Sequence, residues 1–219
     1  MKYDVIIVGA GPAGIFTALE LKRQKSQKHI LLIEKGKPVE KRHCPKQETG
    51  RCMNCRPGCA ITTGFSGAGA FSDGKLSLSC EVGGDLPELI GETLCQELID
   101  YTDGIYLSFG ADPYVEGLSG GDDLKEIRKN AIQSGLKLVD CPIRHLGTEK
   151  AQALYLAIQE WLQHKGVEIL FETECVDILL DASASQSGQQ EKVAVQGYLI
   201  AAALTRCQIP VRVAGFCSV

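Results

Sequence analysis

The chain lacks an excess of basic charge: 23 Lys and Arg stand against 27 Asp and Glu, a formal net charge of −4 over 219 residues. No overall positive field exists to hold a nucleic-acid backbone or an anionic membrane surface, so neither is an expected partner. It also lacks long apolar runs, none approaching the ~20 residues of a membrane span. The N-terminal run Val5–Val8 is too short for a signal h-region and lacks the flanks of one. The expectation is therefore a cytoplasmic protein. Without an export signal, the ten cysteines argue against a disulfide scaffold and for thiols, a metal site or redox chemistry. No internal repeat is present.

What is there is a globular composition, 44% apolar and 23% charged, sufficient for one large or two small domains. Tyr3–Val8 is apolar and β-branched apart from Asp4, as expected of a parallel strand buried on both faces. From Pro12 the spacing becomes helical, with Ile15, Ala18 and Leu19 on one face. Ile30–Ile33 reads as a second buried strand. Residues 35–80 show no period and carry clustered cysteines and glycines; a connection this long is usually functional. Leu86–Tyr101, Asp122–Ser134 and Thr148–Lys165 read as helices. Lys137–Asp140, Val167–Phe171, Cys175–Leu180 and Val193–Ala201 read as strands, and Asp181–Lys192 as a solvated connection. Alternation of the two types favours an α/β fold. Trp161, spaced with Ala157 and Ile158, reads as core.

Gly9-Ala10-Gly11-Pro12-Ala13-Gly14 matches G-x-G-x-x-G, and each glycine has a mechanical reason. Gly9 permits the strand-to-helix turn, Gly11 lets a pyrophosphate approach the backbone, and Gly14 lets the helix lie close to the strand. The phosphates then meet free N–H groups and the positive dipole end of the helix. Glu34 ends the second strand 20 residues beyond Gly14, where a carboxylate accepts hydrogen bonds from ribose hydroxyls and repels a 2′-phosphate. A dinucleotide of the FAD or NAD type is favoured over NADP. The binding set so far is Gly9, Gly11, Pro12, Ala13, Gly14 and Glu34, with Lys35 beside it.

The segment Asp4–Gly14 resembles the opening of the glutathione-reductase-like flavoproteins. Arg42-His43-Cys44-Pro45, Cys52-Met53-Asn54-Cys55, Gly64–Leu76 and Ile143–Thr148 are further similar to a family of largely uncharacterised FAD-dependent dehydrogenases, over roughly residues 1–202. The resemblance implies a Rossmann-type FAD-binding domain with a long Cys/Gly-rich insertion, and an oxidoreductase acting on a small-molecule substrate. It implies FAD as cofactor, with NAD(H) or NADP(H) as candidate electron donor. It places Gly64, Gly67, Gly69 and Lys75 beside the flavin and pyrophosphate, and Val176 against the adenine through its backbone.

Other chemistries compete for the same residues. Gly69–Lys75 meets all but the last position of the P-loop pattern, where Leu76 replaces the metal-binding Ser or Thr, and no buried strand feeds Gly69. Cys44, Cys52, Cys55 and Cys59 lie within sixteen residues and offer soft ligands for Zn²⁺ or an iron–sulfur cluster, though the spacing is standard for neither. Cys52 and Cys55 are alternatively candidates for dithiol exchange with a flavin, or plain reduced thiols. His145 is a candidate proton donor and Arg144 a candidate anion holder, with Lys150 nearby; such residues are more often solvated loop side chains. The alternatives to an FAD oxidoreductase are a non-catalytic dinucleotide- or metal-binding module and a flavin-linked dithiol oxidoreductase. The match fades after Tyr198–Ala202, and residues 203–219 are an atypical tail. The reading there is a truncated flavoprotein or a short variant whose flavin is covered by another surface, such as a partner chain.

Overall fold

The computed structural model describes residues 2–56, 58–117 and 121–176, together with Ile178, Ala194, Val195, 197–200 and Ala202, without the side chains of Thr148 and Glu149. In chain order the elements are β1 (Val5–Val8), α1 (Pro12–Arg23), β2 (Ile30–Ile33), α2 (Lys46–Thr49), β3 (Lys75–Ser77), α3 (Leu86–Ile90), α4 (Glu92–Ser108), α5 (Asp122–Gln133), β4 (Ile143–His145), α6 (Thr148–His164) and β5 (Val167–Leu170). The chain divides into two compact units, Met1–Glu174 and Cys175–Val219.

The first unit is α/β with a small parallel sheet in the order β1-β2-β5. Val5 pairs with Ile30 and Val8 with Ile33; Ile30 pairs in turn with Val167 and Ile33 with Leu170. Asp4 aligns the starts of β1 and β2, its Oδ2 accepting the His29 N–H at 2.8 Å. Pro12 begins α1, where its missing N–H costs nothing and its fixed φ is already helical. The helix buries Ile15, Ala18 and Leu19 against Ile7, Ile30 and Leu32, and α6 adds Leu154, Tyr155, Ile158 and Leu162 to the same core. Each large aliphatic chain removed from water there contributes about 1.5–3 kcal/mol. Trp161 packs on this core edge-to-face with Phe109, as its spacing predicts. The Tyr106 hydroxyl of α4 meets that of Tyr155 at 2.9 Å, and burial pushes both phenols up.

Several elements differ from the sequence reading. β1 is not buried on both faces: Ile6 and Val8 are 57% and 53% exposed, because α1 covers only the Ile7 side. The expected helix at 86–101 is two helices, α3 and α4, separated by Gly91 at φ 85°. Lys137–Asp140 is not a strand; β4 forms three residues later, where Ile143–His145 pairs antiparallel with Ser77–Lys75. A strand exists only where a partner supplies its ladder, and β propensity alone does not place one. Neither Cys175 nor Val176 is in a strand. Of Val193–Ala201, the described residues Ala194, Val195 and Gly197–Ile200 are helical; a short apolar run has no period that separates helix from strand. Asp181–Lys192 and the tail 203–219 lie outside the described residues.

Candidate functional site

The βα turn after β1 has the geometry expected of a phosphate cradle. Gly9 adopts φ 94°, and a methyl group on Gly14 would run into the Gly9 carbonyl oxygen, so the helix lies as close to the strand as glycine permits. Gly11 differs: a Cβ there meets nothing within 4 Å. The approach to its backbone is open. Gly11 is also the N-cap of α1, with no side-chain cap and no acid in the first turn. The leading N–H groups and the positive end of the dipole are thus left for an anionic ligand.

Glu34 stands at the end of β2, only 6% exposed. Its Oε2 accepts the Ala10 N–H at 2.8 Å and its Oε1 the Gly36 N–H at 2.7 Å. The carboxylate therefore ties the glycine turn to the exit of β2. Each oxygen has a second lone pair for a hydroxyl donor. Lys35 is exposed beside it.

Gly64–Gly67 closes the same site from a third direction. The Ser66 N–H donates to the Ala10 carbonyl at 2.7 Å, and the Phe65 N–H to the Lys37 carbonyl at 3.1 Å. Gly64, at φ 124°, has no room for a side chain between the Lys37 carbonyl and Arg42. Ser66 is fully buried at φ 72°, a left-handed position uncommon for a residue other than glycine. Strain of this kind persists only where the surroundings hold it.

Arg42 does the holding, and the sequence reading did not count it as a site residue. It is 5% exposed. Its Nε donates to the Ala60 carbonyl (2.9 Å), Nη1 to Phe65 O (2.5 Å) and Ser66 Oγ (3.5 Å), and Nη2 to Ile61 O and Gly67 O (both 2.7 Å). Phe71 covers the guanidinium at 4.4 Å from its ring centroid. Burial pushes the group below its ordinary value, while the charges of Glu34 and Cys59 act the other way. It remains a cation, because guanidinium titrates far above neutrality. Its signal in the sequence is its place at the head of the Arg42–Pro45 motif; no period marks its role, since its partners here are mostly backbone carbonyls that any sequence supplies.

Of the remaining candidates in the first unit, Gly69 joins this cluster, its N–H donating to the Ser66 carbonyl at 3.2 Å, whereas Lys75, Arg144, His145 and Lys150 have other partners. Gly69 lies against the Tyr155 hydroxyl. Lys75 is exposed and pairs with Asp73 at 3.2 Å, which lowers the Asp73 carboxyl. Gly69–Phe71 is a 3-10 turn leading into β3, whereas a P-loop runs from strand to helix. Arg144 is not free to hold an anion. It is 4% exposed, forks onto Asp103 with Nε at 2.5 Å and Nη2 at 2.7 Å, and donates Nη1 to the Asp112 carbonyl. The Asp103 hydrogen bond raises its pKa further. His145, partly exposed, pairs with Glu116 at 3.2 Å, and Lys150 with Asp112 at 3.0 Å. Val176 is 81% exposed and belongs to the second unit.

Cys44, Cys52, Cys55 and Cys59 are free thiols lining one cavity of about 600 Å³. Among the described residues no three His, Cys, Asp or Glu converge as a metal-ligand set. The four sulfurs line this cavity without being gathered at one point. No helix among the described residues is long and apolar enough to cross a membrane.

Comparison with known proteins gives partial matches. A family model described as the CobT VWA domain of cobalamin biosynthesis matches residues 162–219. An uncharacterized protein of Clostridium beijerinckii is 39% identical over 77 residues, 35% of this chain and 14% of that protein. Among solved structures, a 3-ketosteroid-Δ4-(5α)-dehydrogenase from Rhodococcus jostii matches with a TM-score of 0.44 at 14% identity, covering 78% of this chain and 38% of the other. Glycine oxidase from Bacillus cereus gives 0.41 at 18%, covering 82% and 50%, and L-amino acid deaminase from Proteus vulgaris 0.40 at 15%, covering 84% and 42%. The chain thus spans half or less of the length of each of these proteins.

Proposed function

We propose that this chain binds FAD and is a flavoprotein of oxidoreductase type acting on a small-molecule substrate. The observation that carries the reading is the Gly9–Gly14 turn. It opens an uncapped helix between two parallel strands, has free space over Gly11, and is bound on its other side by the carboxylate that ends β2. Those residues fit a dinucleotide. Gly11, Pro12, Ala13 and the first turn of α1 would receive the pyrophosphate, and Glu34 the ribose hydroxyls. Gly64 and Gly67, fastened by Arg42, would present backbone to the flavin side. When bound, FAD supplies hydride and electron transfer, while the protein supplies position and electrostatics. The CobT match begins near the end of α6 and does not include residues 5–34, so it bears on another part of the chain.

The test is a titration of the full chain with FAD followed by flavin fluorescence, with Gly11→Leu as the control. Its side chain would fill the open space over the turn without meeting protein atoms at Cβ. Saturable binding that Gly11→Leu abolishes while the circular dichroism stays unchanged supports the reading. Equal binding by both chains overturns it. Bleaching of the bound flavin by NADH or NADPH then separates an oxidoreductase from a non-catalytic dinucleotide module.

A further inference from the structure

Residues 43–60 have no core of their own. Among the described residues from His43 to Ala60 no side chain is buried, no strand forms, and the only helix is the single turn of α2. Disulfides do not staple the segment, since Cys44, Cys52, Cys55 and Cys59 are free thiols. Its path is nonetheless specific. The Gln47 N–H turns back to the Cys44 carbonyl at 3.0 Å, and the Thr62 and Thr63 N–H groups to the Cys59 carbonyl at 3.1 and 2.8 Å. Between Cys52 and Cys55 the chain passes through the left-handed region at Asn54, φ 47°. Arg42 fixes the far end through the Ala60 and Ile61 carbonyls. This path puts all four cysteines on the wall of one cavity of about 600 Å³, with Cys52 and Cys59 exposed.

A short segment without a core is stabilised by cross-links, and thiolates from one stretch of chain are the donors that soft metals take. The arrangement discriminates between metals. A single Zn²⁺ draws its thiolates to one point about 2.3 Å away, and among the described residues no three His, Cys, Asp or Glu converge in that way. A cubane iron–sulfur cluster instead holds its four thiolates apart, one at each iron corner, around a core that needs space between them. Four sulfurs spread around a cavity match the second geometry. We propose that Cys44, Cys52, Cys55 and Cys59 ligate a cubane iron–sulfur cluster that occupies this cavity and cross-links residues 43–60. A cluster carried by small thiolates enters by ligand exchange: each cysteine S–H gives its proton to a departing thiolate as its sulfur bonds iron. No electron moves and no further reactant is consumed. The tetrathiolate cluster is anionic, and Arg56 on the cavity wall supplies positive charge beside it. The inference does not depend on FAD.

The probe is the cubane cluster ligated by mercaptoethanol, mixed anaerobically with the full, reduced chain, which is then desalted and assayed for iron and acid-labile sulfide. About four of each per chain are expected to be retained. Changing Cys44, Cys52, Cys55 or Cys59 singly to Ala should lower both several-fold, with circular dichroism of the unloaded chain unchanged, whereas Cys80→Ala should retain them in full. In the loaded parent, iodoacetamide labelling read by peptide mass spectrometry should find those four thiols protected and Cys80 reactive. Gly11→Leu should load as the parent does, which keeps this result separate from that of the FAD titration. Failure of the parent to retain iron and sulfide, iron retained without sulfide, or retention undiminished in any of the four Cys→Ala variants overturns the proposal.

Discussion

The β1–α1–β2 segment and the cysteine- and glycine-rich segment that follows are held together by different physics. In the first, many small, repeated contributions add: ladder hydrogen bonds register four residues of β1 on four of β2, and Ile7, Ile15, Leu19, Ile30 and Leu32 share one apolar core. In the second, residues 60–67 make no ladder, and one guanidinium gathers their carbonyls. Distributed stabilisation tolerates single changes. A hub does not.

The largest effect should therefore come from Arg42→Met. It leaves buried carbonyls of the 60–67 turn without their donor, at about 1–3 kcal/mol for each group that water cannot reach. Limited proteolysis should cut within 55–70 in the variant and not in the parent, while β1–α1–β2 stays protected from hydrogen exchange. Loss of protection in both segments together would show that the contrast between them is false.

Gly14→Ala comes next. The added methyl meets the Gly9 carbonyl oxygen, so helix and strand must separate, an overpacking cost of about 1–3 kcal/mol. Here the damage should fall on β1–α1–β2, seen as a lower urea midpoint with 60–67 still resistant to protease. Glu34 belongs to both regions, because Glu34 bonds the glycine turn and the β2 exit at once. Glu34→Gln keeps the shape but supplies one acceptor where two N–H groups need one each, and should cost roughly 1.5–3 kcal/mol, as for hydrogen bonds to a charged group. Chemical denaturation measures it directly, and no change would show that the carboxylate is not buried as described.

The smallest effect should be that of Asp4→Asn. The His29 N–H lowers the Asp4 carboxyl below its usual 3.8. A depressed carboxyl contributes stability that is fully present above its unfolded value and is lost as pH falls through the folded one. The melting-temperature gap between parent and variant should accordingly be open at neutral pH and close as the solution is acidified through about pH 3.8 and below. A gap that widens in acid would contradict the assignment.

The same contrast explains what could be read before the structure. β1, β2 and β5 carry short apolar runs and α1 and α6 helical spacing, local statements about which side chains leave water, and all five are present near their expected limits. The Gly9–Gly14 turn was legible for the same reason, since each glycine answers a backbone requirement within a few residues. Arg42, Ser66 and Gly36 were not, because their roles are set by residues 18 to 56 positions away that share no period with them. Arg144, a candidate anion holder or a solvated loop side chain on sequence, is buried instead for the same reason, its partner Asp103 standing 41 residues earlier on α4.

Local chemistry alone thus specified a parallel βαβ start with an open, uncapped helix end and an acid at the close of its second strand. Folding in three dimensions decided the rest: that Glu34 bonds backbone on two sides, that Arg42 becomes the hub of the glycine segment, and that four neighbouring cysteines line a cavity without meeting at a point. The physical reason is range. Periodicity and turn sterics act over a few residues and are written in their order, whereas a buried polar group is satisfied by whichever backbone the fold brings within about 3 Å, and sequence order does not name that backbone.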